Sequence, residues 1–231
     1  MNKTTFILRA SLLAASLATT TAMANDWSMS LTCDNQFNLY FGTPTATNYH
    51  AGGGNNWQTT YSFNATGRAN SDYIYIATAS DQRVAQGVIG QFTNTSLNRT
   101  TLTGDSEWEV FPAGRYLTQL GFTSPWPASL LPTNAQVDAA IAYAQANSLW
   151  IATSTTPGNN LNGVAPWGLR PGISQDAKWI WHAAAGGPSD PLRGGYNHEE
   201  FLVFRLAGAI PTPGALALLG LAAIPASRRK R

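Results

Sequence analysis

The sequence predicts a mainly β protein, an antiparallel β-sandwich or jelly roll with one short helix, flanked by an N-terminal signal helix and a C-terminal hydrophobic helix. Three observations carry that expectation. Apolar and aromatic residues recur at every second position in short segments bounded by Gly, Asn and Asp, which is the pattern of strands. Only one segment has apolar residues at helical spacing. Composition also changes abruptly near both ends and divides the chain into 1–24, 25–209 and 210–231. Many short strands with one brief helix fit two packed antiparallel sheets.

The leader, MNKTTFILRASLLAASLATTTAMA, has Lys3 and Arg9 ahead of an apolar stretch from Phe6 to Leu17. It closes on Ala22-Met23-Ala24, the small-x-small pattern that signal peptidase accepts, so the mature chain is expected to begin at Asn25. In DWSMSLTCDNQFNLYFG, Trp27, Met29 and Leu31 share one face. Phe37, Leu39 and Phe41 share one after a break at Asp34-Asn35. WQTTYSFNAT places Trp57, Thr59, Tyr61 and Phe63 two apart, and DYIYIATAS sets Tyr73, Tyr75 and Ala77 against Ile74 and Ile76. SLWIATS, AKWIWHA and EEFLVFRLAG repeat the theme. Between them HAGGGNNW, TTPGNNLNG and AAAGGPSDPLRGG read as loops. The helix falls in TNAQVDAAIAYAQANS, with Thr133 or Asn134 as N-cap and Val137, Ile141 and Ala144 at helical spacing.

Charge narrows the function classes. The chain has 14 basic and 12 acidic residues. Two cations lie in the leader and four in the tail, which leaves 8 against 12 between Asn25 and Ala209, a net of −4. The basic balance thus belongs to the two ends, and a nucleic-acid partner, which needs a clustered basic face, is excluded. A single cysteine, Cys33, can form no internal disulfide, so the body needs a real hydrophobic core. Cys33 itself reads as a small buried hydrophobe in a strand.

Candidate chemistry is sparse. The histidines are His50, His182 and His198, and NHEEF at 197–201 lacks the second histidine a zincin helix needs. Asp34, Asp72, Asp81, Asp105, Glu107, Glu109 and Glu199 could supply paired carboxylates, but none stands in a hydrolase motif. Asp34, Asn35, Asp72 and Asp81, at strand ends, are weak calcium candidates, with solvated turn residues as the plainer reading. Gly52–Gly54 has no following lysine and helix, so it reads as a flexible linker rather than a phosphate cradle. No catalytic residue and no cofactor is expected.

Tryptophan is the remaining signal, with eight in the chain. Sugars stack their C–H faces on aromatic rings, so exposed tryptophans flanked by Asn and Asp suit glycan binding. Trp57 (GGGNNW) and Trp167 (APWGLRPG) stand beside loop residues, and Trp126 between prolines, whereas Trp27, Trp150, Trp179 and Trp181 follow strand patterns. The candidate face is therefore Asn55, Asn56, Trp57 and Trp167, although a loop tryptophan can equally be a packing residue.

DNQFNLYFG, NNWQTTYSFNATG and DYIYIATASDQRVAQGVIGQF, closed by AKWIWHA and EEFLVFRL, resemble galactose-binding-domain-like β-sandwiches over roughly Asp26 to Leu206. That fold serves carbohydrate binding, adhesion and scaffolding alike. The chain departs from the resemblance at GTPTATNYHAGGGNN, which reads as a longer loop than the usual short hairpin.

The tail has a resemblance of its own. GALALLGLAAIPA spans 13 residues, short of the roughly 20 that cross a bilayer. Pro211, Pro213 and Pro225 interrupt any longer helix, and the closing cations fit a positive-inside stop. Pro211-Thr212-Pro213, the small-residue apolar run and the cluster Arg228, Arg229, Lys230 and Arg231 resemble the PEP-CTERM sorting signal of Gram-negative bacteria, with Thr212 where the eponymous motif has glutamate. The resemblance implies a transient inner-membrane stay, cutting by an exosortase near Pro211–Pro213 and delivery to the cell surface or extracellular matrix. Signal peptidase and exosortase are then the export partners, and a polysaccharide the expected ligand. The alternatives are a surface structural protein with no specific ligand and, third, a secreted glycoside hydrolase.

Overall fold

The computed structural model describes residues 24–79, 86–120, 131–153, 160–182 and 201–207. Both expected terminal helices, with Ala22, the sorting residues Pro211–Pro213 and Arg228–Arg231, lie outside them, as do Asp81, Trp126, His198 and Glu199. Among the described residues no helix is long and apolar enough to cross a membrane.

Strands β1 (Ala24–Asp34), β4 (Tyr61–Ala69), β6 (Gly87–Asn94) and β7 (Arg99–Leu102) form one sheet in the order β4-β1-β6-β7. A six-stranded sheet has the order β3-β2-β5-β10-β8-β9. Its members are β2 (Gln36–Thr43), β3 (Ala46–Gly54), β5 (Tyr73–Ala79), β8 (Trp108–Pro112), β9 (Ile151–Ala152) and β10 (Phe201–Ala207). All pairings are antiparallel. The sequence break at Asp34-Asn35 is where the chain leaves the first sheet and enters the second.

Alternation builds the layers. Trp27, Met29, Leu31 and Cys33 of β1 cluster with Phe37, Leu39 and Phe41 of β2, Ile74 and Ile76 of β5, and Phe204 and Leu206 of β10. This is the sandwich core. The opposite face of the six-stranded sheet, with Tyr75, Ala77 and Val203, is covered by Val137, Ala140, Ile141 and Ala144 of α2 (Asn134–Ala146). The outer face of the four-stranded sheet is covered around Ile89 by Trp167, Ile173, Ala177 and Trp179. Each buried aromatic withdraws roughly 150–250 Å² from water, about 4–6 kcal/mol at 25 cal/mol/Å². Buried Trp108, Trp179 and Trp181 thereby help to supply the core that a chain without disulfides requires.

The helix starts at Thr133, whose Oγ1 accepts from the Gln136 amide at 3.3 Å while Gln136 Oε1 accepts from the Thr133 amide at 2.7 Å. This reciprocal capping box resolves the choice between Thr133 and Asn134. Asn134 Oδ1 instead accepts from the Tyr40 hydroxyl at 2.9 Å. Asp138 Oδ1 accepts from both Thr47 N and Thr47 Oγ1 at 2.7 Å and ties α2 to β3.

Five expectations need correction. GTPTATNYHAGGGNN is not a long loop and Gly52–Gly54 is not a linker, because β3 runs from Ala46 through Gly54 in register with β2. The glycines are there for clearance: a Cβ on Gly52, which has φ +149°, would strike the Phe63 ring, and one on Gly54 the Tyr61 ring. Trp57 and Thr59 precede β4 rather than belonging to it. Within the described residues AKWIWHA forms isolated bridges rather than a strand, Val88↔Ile180 and Leu161↔Lys178 among them. A second, short helix α1 (Gly114–Gln119) follows β8.

Candidate functional site

Asn55, Asn56 and Trp57 form the turn that joins β3 to β4. The amides of Asn55 and Asn56 donate to the Tyr61 hydroxyl at 3.2 and 3.1 Å. Asn56 Oδ1 accepts from the Gln58 amide at 3.0 Å, an Asx turn that explains asparagine there. The turn is pinned from beneath, since Thr32 Oγ1 on β1 lies 3.2 Å from the Trp57 carbonyl. From the side, Arg170 Nη1 donates to the same carbonyl at 3.2 Å with its guanidinium carbon 5.4 Å from the Trp57 ring centroid. Trp57 remains half-buried.

Trp167 belongs to the same cluster but plays a different part. It is 3% exposed, stacks on Trp179 with centroids 4.0 Å apart, and donates from Nε1 to Asp34 Oδ2 at 2.8 Å. A ring packed in this way is not offered to a glycan, which corrects the expectation for Trp167. The loop composition of APWGLRPG conceals an irregular segment that folds back on the sheet. Gly87 leaves room for it: a Cβ there would lie 2.7 Å from Trp179 and 3.0 Å from Trp167. Asn162 then satisfies the segment's backbone, donating to the carbonyls of Arg170 and Ile173 at 3.0 and 2.8 Å and accepting from the Arg170 amide at 2.7 Å. Arg170 Nη2 donates to the Trp167 carbonyl at 2.7 Å and so links the two tryptophan-bearing loops.

Beside this cover the four-stranded sheet is open. The register aligns Asn64, Ser28, Thr93 and Thr100 in one row and Ser62, Ser30, Gln91 and the apolar Leu102 in the next, where Gln91 Oε1 accepts from the Ser174 amide of the cover at 3.0 Å. Ser30 and Ser62 hydroxyls approach to 3.3 Å, those of Thr93 and Thr100 to 2.8 Å. No member of either row is charged. Thr32, which holds Trp57, continues the same face of β1, so the floor ends at a step made by the Asn55–Trp57 turn and Arg170. Sequence reasoning missed both Arg170 and this floor, although the alternate serines of WSMSLT were a visible signal.

The described calcium candidates, Asp34, Asn35 and Asp72, do not converge. Asp34 stands at the end of β1 and accepts from Trp167. Asp72 accepts from the Ala69 amide at 3.1 Å, and Ala69 pairs with Ala24 at the start of β1. Eleven residues of strand put roughly 33 Å between those ends. Asn35 neighbours Asp34 and shares its position. Among the described residues no three His, Cys, Asp or Glu side chains are grouped to hold a metal.

Other titratable groups have structural partners. Glu107 pairs with Arg99 at 2.8 Å and Glu109 with Arg205 at 2.7 Å, while Asp105 Oδ2 accepts from the Leu102 amide at 2.8 Å. His50 packs on Tyr40 with centroids 4.8 Å apart, and His182 is 9% exposed. Burial, and secondarily the neighbouring Asp34 carboxylate, push the Cys33 thiol well above its ordinary range. A thiol held protonated is a packing group rather than a nucleophile. Compared with protein-family models, curated proteins and solved structures, the chain gives no significant match to any of them.

Proposed function

We propose that the chain is an exported bacterial surface or matrix protein whose sandwich holds neutral polysaccharide along the open face of its four-stranded sheet, against Trp57. The leader 1–24 and the PEP-CTERM-like tail 210–231 support the delivery half of this reading. The binding half rests on one observation: two aligned rows of uncharged side chains, all but Leu102 bearing a hydroxyl or amide, end at a half-buried tryptophan. Hydroxyls donate and accept at once, as sugar hydroxyls do, and a ring at the step gives a C–H face something to stack on. Asn55 and Asn56 hold the turn, and Trp167 supports it from within the cluster.

Polysaccharide retention by affinity electrophoresis tests the binding half. Trp57→Ala, and separately Ser62→Asp with Asn64→Asp, should each weaken retention of the full chain about tenfold, the loss of one stacking contact or of one hydrogen-bonding side chain from each row. Unchanged retention in both variants rejects it. For delivery, removing 210–231 should leave a folded body that fails to reach its destination, and correct delivery of that truncation rejects the sorting reading.

A structural protein without a specific ligand is the second reading. The burial of Trp167 and the ties that Arg170 and Thr32 make to Trp57 favour it. Glycoside hydrolysis draws no support from Asp105, Glu107 or Glu109, each of which is engaged by its own backbone or arginine partner.

A further inference from the structure

The cover that α2 provides ends at the helix C-terminus. There Glu109 on β8 and Arg205 on β10 lie opposite one another in register. Together with Gln145, Ser148 and Trp150 they line an open pocket of about 210 Å³. The Arg205 side chain is 11% exposed and firmly held. Nε donates to Glu109 Oε2 at 2.7 Å and Nη1 to Gln145 Oε1 at 2.8 Å. Its guanidinium carbon stands 4.1 Å from the Trp150 ring centroid and 5.2 Å from that of Tyr73. Nη2 makes no hydrogen bond to a described residue. The rings fix the cation in place.

A second observation concerns Ser148. After the C-cap Asn147, the Ser148 amide donates to the Gln145 carbonyl and the Leu149 amide to that of Ala144, a Schellman ending. Ser148 takes φ +54°, where glycine is free of strain. The chain keeps a hydroxyl-bearing residue at the pocket rim in spite of that strain. Backbone strain of this kind collects at functional positions.

The geometry points to a site for a single sugar residue, bound as a neutral diol between Glu109 and Arg205. The pair carries no net charge, and Glu109 is 41% exposed, so an anionic ligand attracted by Arg205 is repelled beside it. A diol suits both ions: one hydroxyl donates to the carboxylate while its neighbour accepts from Nη2, and neither ion loses its present partner. The amide of Gln145 and the hydroxyl of Ser148 extend the set. The volume lies below the roughly 300–1,000 Å³ of sites for drug-sized ligands, which restricts the occupant to about one ring. This pocket is on the opposite sheet from Trp57 and stands independently of the polysaccharide floor.

The test is an NMR titration of the full chain with glucose, galactose, mannose and, as charged counterpart, glucuronate, following the Trp150 indole resonance. At least one neutral hexose should saturate at about millimolar concentration, with glucuronate weaker. Glu109→Gln keeps the shape but removes the charge, and it should weaken the hexose about tenfold while improving glucuronate. Ser148→Gly should weaken the hexose without lowering the melting temperature, which separates lost binding from lost fold. Trp57→Ala should leave this titration unchanged, so failure here and failure of the polysaccharide reading are distinguishable. The site is overturned by no shift with any hexose, by glucuronate binding as tightly as the hexoses, or by full hexose affinity in Glu109→Gln.

Discussion

The two sheets are covered on their outer faces by different means. Over the six-stranded sheet, α2 presents Val137, Ala140, Ile141 and Ala144. A helix satisfies its backbone internally, so it can meet the sheet mainly with apolar side chains, with Asn134, Asp138 and Gln145 as polar ties to Tyr40, Thr47 and Arg205. Over the four-stranded sheet, residues 160–182 make only isolated bridges and turns, and every buried N–H and C=O in them needs its own partner. Backbone pairs, together with Asn162 and Arg170, supply those partners, and the irregular cover is as dry as the helical one at Trp167 and Trp179. The difference lies in reach. The helix runs across its sheet, whereas the irregular cover stops short and leaves the hydroxyl rows open.

The sharpest way to break this comparison is to empty the irregular cover. Trp179 is fully buried and stacked on Trp167, so Trp179→Ala should cost about 3–5 kcal/mol in chemical denaturation. A loss below about 1 kcal/mol would mean that the cover is not part of the cooperative fold. Ile141→Ala on the helical side should cost about 2–4 kcal/mol. Asn162→Ala isolates the polar half of the argument. It strands several carbonyls and one amide of its own segment, at about 1–3 kcal/mol, whereas the interior of α2 satisfies its own backbone.

Alkali probes the helical side at Tyr75. Burial pushes its phenol well above the ordinary range, and Tyr75 Oη donates to the Thr43 carbonyl at 2.6 Å. The folded state therefore holds this proton more tightly than the unfolded chain. Its contribution is complete below about pH 10, the unfolded value, and is lost as pH rises beyond it. Tyr75→Phe should flatten the alkaline limb of a stability-against-pH curve, and an unchanged limb would assign that loss to other groups.

What could be read in advance follows from what each signal depends on. The alternation of Trp27, Met29 and Leu31 is local, and so is the helical spacing of Val137, Ile141 and Ala144, hence both were legible, while the N-cap was narrowed only to Thr133 or Asn134. Strand β3 was not, because its glycines answer to Phe63 and Tyr61 on the chain beyond, and glycine clusters carry loop composition wherever they stand. Trp167 looked like a surface residue for the same reason: its partners, Asp34, Gly87 and Trp179, are fixed by tertiary folding alone. Asn55–Trp57 and Trp167 did come together, but Arg170 joins them and nothing local marks it. The Glu109–Arg205 pocket was less visible still, since the strand register that faces the two residues joins segments 96 positions apart.

The smallest effect concerns the end of the helical cover, where the two sheets' outer faces become alike because α2 must close irregularly. Ser148→Gly relieves a left-handed residue, worth about 1–2 kcal/mol, but glycine also gives the unfolded chain more freedom, a cost of about 0.4–1 kcal/mol. The balance is about 0.8 kcal/mol of stabilisation, or about two to three degrees in the melting temperature of a domain of this size. Scanning calorimetry on the full chain can resolve a shift of that sign. A rise would mean that the serine is kept at the pocket rim in spite of the fold's preference. A clear fall would mean that its side chain supports the helix end, and the strain argument for a binding role at Ser148 would then fail.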